Sequence, residues 1–100
     1  MRELETLGLV PTGRGAWHGH AITDTAVGSS GRTVRTVWTV SAIIDTDEPN
    51  PLRRYGVFVR MAGELGDYRA KYVACLADLP TLAAAALRDP YAVTGSRVTV

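Results

Sequence analysis

The strongest constraint on this chain is a period of two. Residues 32–44 read RTVRTVWTVSAII, a β-branched run in which apolar side chains recur at every second position over most of its length. Successive side chains leave a strand on opposite sides, so this pattern predicts a strand with one buried face. Segments 16–27, 52–61 and 67–76 share the β-branched or aromatic character. The links between the four are GSSG at 28–31, TDEPNP at 46–51 and AGELG at 62–66, each short enough for a hairpin. Four strands joined this way predict an antiparallel meander.

One segment has a different period. In DLPTLAAAALRDP, Leu79, Leu82, Ala83, Ala86 and Leu87 recur at helical spacing. Asp78 is positioned to cap the first turn, Pro80 is tolerated there, and Asp89-Pro90 stops the pattern. SRVTV at the C-terminal end reads as a short final strand, and ELETLGLV near the start fits strand or helix equally. The expected fold class is therefore α+β: a four-stranded antiparallel meander, one C-terminal helix packed on one face, and a short final strand. At 100 residues the whole chain reads as a single domain.

Parity assigns faces. Val34, Trp38, Val40, Ala42 and Ile44 share one side of the second strand, and Tyr55, Val57, Val59 and Met61 share one side of the third. The same rule puts Tyr68, Ala70, Tyr72, Ala74 and Leu76 beneath the helix in the fourth. Its complement leaves Arg35, Arg54, Arg60, Arg69 and Lys71 facing outward around Phe58, while Asp45, Asp47, Glu48 and Glu64 fall in loops. In the first hairpin a four-residue loop sets Val27 opposite Arg32, Ala21 opposite Trp38, Asp24 opposite Arg35, His20 opposite Thr39 and His18 opposite Ser41. The third hairpin has two registers consistent with these faces: Arg60 opposite Arg69, or Arg60 opposite Asp67 with Phe58 opposite Arg69.

Composition narrows the function classes. With an apolar share of 46% and a formal net charge of +1, the chain is neither disordered nor broadly basic. No run approaches the ~20 apolar residues of a membrane span, and MRELETLGLV has no secretory character, so a soluble cytoplasmic protein without membrane contact is expected. Cys75 is the only cysteine, which rules out an internal disulfide, and it reads as a half-buried thiol near Arg54.

Candidate sites are few. His18 and His20, two apart on one strand face, supply at most two metal ligands, and Asp24 lies about 13 Å farther along the strand from His20. A polar strip is the simpler reading, and no cofactor is expected. Glycines 13, 15 and 19 precede a strand rather than a helix and so do not form a phosphate loop. Asp45-x-Asp47-Glu48 reads as a solvated charge run beside Pro49 and Pro51. No catalytic constellation emerges, so the expected function is that of a small non-catalytic binding or accessory protein. It would work through the open sheet face, with self-association into a homodimer along unpaired edges and a possible protein partner. Two alternatives follow from the same residues. Arg35, Arg54, Phe58, Arg60, Arg69 and Lys71 have the chemistry of a single-stranded nucleic-acid platform. A small enzyme would need a pocket between helix and sheet that uses Trp38, Tyr55, Tyr68, Tyr72 or a histidine.

Overall fold

The long alternating segments pair as their turns require. In the computed structural model, which describes residues 1–29, 31–61 and 69–94, Ala16–Val27 (β2) and Arg32–Ile44 (β3) form one hairpin. Its register runs unbroken from Ala16 opposite Ile43 to Val27 opposite Arg32. Tyr55–Met61 (β4) pairs with the second half of β3, and Arg69–Val73 (β5) pairs with β4. The ambiguous N-terminal stretch divides into a short helix, Arg2–Thr6 (α1), and a two-residue strand, Val10–Pro11 (β1), which pairs with Trp17 and His18. Among the described residues the sheet thus has five strands in the order β1-β2-β3-β4-β5, the four of the expected meander and the short β1, and every neighbouring pair is antiparallel.

The helical segment forms Leu79–Arg88 (α2), followed by the single turn Tyr91–Thr94 (α3). Asp78 occupies the N-cap position but its side chain makes no capping bond. The reason is local: the 3-10 turn Leu76–Asp78 runs directly into α2 and leaves Asp78 in a helical conformation. A capping side chain works from an extended residue. Asp89 ends the helix in an extended conformation and accepts a bond from the Tyr91 amide at 3.1 Å, starting α3.

The described α-helices lie on one side of the sheet. The core joins Ala21, Trp38, Val40, Ala42, Val57 and Val59 from the strands to Leu4, Leu79, Ala83, Ala86 and Val93 from the helices. Leu9, just before β1, lies close to Gly19; a β-carbon there would stand 2.6 Å from the Leu9 side chain. Trp38 is closed in by an edge-on contact with Tyr91, ring centroids 5.2 Å apart, and its indole N–H donates to Thr23 Oγ1 at 3.0 Å.

The face assignment of the last strand is a correction. β5 pairs with β4 so that Val59 faces Arg69, Phe58 faces Ala70 and Gly56 faces Tyr72. This lies one residue from both registers considered above, and a slip of one exchanges the two faces of a strand. Ala70 and Tyr72 therefore lie on the open face, while Arg69 and Lys71 lie on the helix side, where both are exposed. Among the described strands β5 is outermost, and charged side chains on an outermost strand discourage pairing with other chains. Tyr68, Asp67, the AGELG link and the SRVTV segment lie outside the described residues. No described helix is long and apolar enough to cross a membrane.

Candidate functional site

Opposite the helices, the sheet carries an aromatic pair at one end. Gly56 in β4 is buried, and a β-carbon on it would stand 2.8 Å from the Tyr72 ring and 3.1 Å from the Phe58 ring. The missing side chain lets Tyr72 lie against the strand backbone. There it meets Phe58 edge-on, with centroids 5.8 Å apart and planes at 84°. Such geometry sets the positive edge of one ring against the negative face of the other.

The β3–β4 connection forms a wall beside this pair. Arg54 donates from Nε to the Glu48 carbonyl at 2.8 Å, and the Asp45 amide donates to the Arg54 carbonyl at 2.8 Å. Within the loop, Asp45 Oδ1 accepts from the Asp47 amide, Glu48 Oε1 from the Asn50 amide and Asn50 Oδ1 from the Leu52 amide. These bonds hold the loop in one shape. Between wall and sheet lies a cleft of about 330 Å³, lined by Ile43, Asp45, Glu48, Arg53, Gly56, Phe58 and Tyr72. Its floor is aromatic and aliphatic, and its rim carries two carboxylates and one guanidinium. The sequence pattern announces a turn at Asn50-Pro51, yet nothing in it brings that turn over Tyr72; the β5 register does so.

The six residues proposed for the basic face do not gather. Phe58 and Arg60 share the open face and are half-buried. Arg54 is half-buried and holds the loop. Arg35 sits farther out on the β2–β3 hairpin, its Nε 3.1 Å from Asp24 Oδ1, and the hydrogen bond and charge of that carboxylate raise its pKa above the ordinary arginine value. Arg69 and Lys71 occupy the opposite face. The cross-strand Asp24–Arg35 pair itself is as the hairpin register predicts.

The histidines also follow that register. His18 Nδ1 is 2.6 Å from Ser41 Oγ, and His20 stands opposite Thr39. Ser41 is buried at 3% exposure, which keeps its hydroxyl from any substrate. Among the described residues no three His, Cys, Asp or Glu side chains cluster closely enough to hold a metal ion. The residues named for a pocket between helix and sheet also separate: Trp38 and Tyr55 belong to the core packing, whereas Tyr72 lies on the far face. Cys75 is exposed rather than half-buried, just beyond the end of β5. No protein-family model matches the chain, and neither does any curated protein or solved structure.

Proposed function

We propose that this chain is a small non-catalytic binding protein whose open sheet face receives a segment of a partner protein, anchored in the cleft beside Phe58 and Tyr72. The observation that carries this reading is the Phe58–Tyr72 pair over Gly56, facing a loop already held by its own hydrogen bonds. Aromatic side chains beside a preformed concavity are the usual anchors of protein recognition, because they bury much area at little entropic cost. Asp45 and Glu48 on the rim favour a segment that presents a lysine or arginine next to an apolar side chain. The free, exposed thiol of Cys75 fits a reducing compartment such as the cytoplasm.

Single-stranded nucleic acid is the second reading. Tyr72 adds a second aromatic to the face that carries Phe58 and Arg60, and bases stack on such pairs. The carboxylates of Asp45 and Glu48 beside the rings make it the weaker of the two.

One titration separates these readings. Amide spectra of the labelled protein are followed while short peptides containing Lys-Leu or Arg-Phe, or a mixed oligonucleotide, are added. The proposal expects peptide-induced shifts at Ile43, Asp45, Gly56 and Phe58 that disappear in Tyr72→Ala. Shifts produced by the oligonucleotide alone, falling steeply with salt, would favour the second reading. An unmoved spectrum with every probe overturns both.

A further inference from the structure

We propose that the cleft beside Phe58 and Tyr72 takes the C-terminal end of a partner chain, with the terminal carboxylate on Arg53 and a basic side chain on Asp45 and Glu48. This rests on the reading above and names the part of the partner that enters.

The cleft brings charges of both signs together without letting them cancel. Arg53, Asp45 and Glu48 all line it. Among the described residues, however, the Arg53 guanidinium makes no ion pair and no hydrogen bond, and neither carboxylate pairs with a cation. Each carboxylate commits one oxygen to a loop amide, Asp45 Oδ1 to that of Asp47 and Glu48 Oε1 to that of Asn50, and keeps the other. The loop also fixes where the Arg53 side chain starts. Arg53 ends the 3-10 turn Pro51–Arg53, which Asn50 caps through the Leu52 amide, and its own amide donates to the Asn50 carbonyl at 3.0 Å. Opposite charges held on one rim by backbone bonds, rather than neutralised by each other, suit a ligand that carries both.

The chemistry of the rim then selects the anion. A guanidinium offers a planar fork of donors that matches a carboxylate or a phosphate. A phosphate group carries about two negative charges, and Asp45 and Glu48 beside it would repel both. A carboxylate carries only one. That of a chain end is attached to the backbone itself, so it reaches Arg53 in a fixed relation to the last side chain. An acidic side chain must first have further rotors frozen, which weakens binding. The apolar last residue then packs on the floor against the Phe58–Tyr72 pair, and the basic residue before it meets the acidic rim.

The test uses three acetylated peptides that share Lys-Leu: one ends in the free carboxylate of Leu, one in its amide, and one continues to a Glu whose own end is an amide. Each is titrated into the intact labelled chain, and the shifts of the Ile43 and Gly56 amides give its Kd. The free acid is expected to bind about tenfold more tightly than the amide, the worth of one charge-assisted hydrogen bond. In Arg53→Gln that preference is expected to vanish. Glu48→Gln keeps the oxygen that holds the Asn50 amide, and there the preference is expected to persist while both peptides weaken. Equal affinity of acid and amide, or a preference that survives Arg53→Gln, overturns the chain-end proposal and leaves the peptide reading standing. The Glu peptide binding as tightly as the free acid overturns it in favour of an acidic side chain. If no peptide moves these amides, the reading beneath it fails as well.

Discussion

Tyr72 rests on the backbone of Gly56, so the cleft depends on the absence of one methyl group. Gly56→Ala would force that methyl to 2.8 Å from the ring, and either Tyr72 or the strand must move. Overpacking of this kind costs about 1–3 kcal/mol, and a urea titration should find the loss together with displaced Phe58 and Tyr72 ring resonances. Trp38 makes a second demand at this scale. Its buried indole N–H is satisfied by Thr23 Oγ1, and Thr23→Val keeps the shape while removing the acceptor. An unpaired buried donor costs about 1–3 kcal/mol, so this single change should lower the urea midpoint clearly. The Asp24–Arg35 pair differs in kind. Both side chains are largely exposed, at 50% and 70%, and solvent screening leaves such a pair little influence on stability. The raised arginine pKa keeps the Arg35 guanidinium charged through neutral and mildly alkaline conditions, and that charge is lost only as pH rises through the arginine range.

At the scale of elements, the small residues of α2 set how closely the helix approaches the sheet. Ala83 and Ala86 have no exposed surface. Ala86→Leu should therefore cost about 1–3 kcal/mol by overpacking, and Leu79→Ala about 2–5 kcal/mol by the cavity it leaves. Thermal melts of the two variants check both the signs and their order. The sequence made most of this element scale legible: the β2–β3 hairpin was readable because a four-residue link leaves one natural register, and α2 because its apolar period is distinct. β5 was not. The rule that buries the more apolar parity of a strand chose Tyr68, Ala70 and Tyr72 over Arg69, Lys71 and Val73, on the premise that only the helix side buries anything. The sheet is wider than its helical layer, however. Only Val73 of the described β5 residues packs against the helix-side core, while Arg69 and Lys71 extend into solvent and Tyr72 finds Phe58 and Gly56 on the other side. The cleft was hidden for the same reason, since a one-residue register assembles it from a loop and a strand far apart in sequence. Asp45 and Glu48 looked merely solvated until that register brought Tyr72 beside them.

The molecule as a whole is longer than a compact domain of its size. Its extents are 49 × 28 × 24 Å and its radius of gyration is 14.4 Å, against about 13 Å expected for 100 residues. The described part of β4 reaches β3 only from Trp38 onward, so among the described strands residues 22–27 and 32–37 pair only with each other, as a two-stranded ribbon. Ile22, Val34 and Val37 are exposed on it. A two-stranded ribbon without a covering layer is marginally stable in water, and local opening follows the least buried element. Amide exchange should therefore rank Val40, Val57 and Val59, beneath the helices, as slowest and the tip of the ribbon as fastest. Within the ribbon the parity of β2 makes a sharper distinction. The Gly15 carbonyl accepts from the Ile44 amide and the Ala16 carbonyl from the Thr12 amide, so odd-numbered residues of β2 turn their polar groups to β3 and even-numbered ones to the β1 side. The Thr23 and Thr25 amides therefore point to β3 and are slowed, whereas the Ile22 amide points to the open edge. Ile22 should exchange close to the rate of an unprotected amide. A strongly protected Ile22 amide would mean that another part of the chain covers this edge.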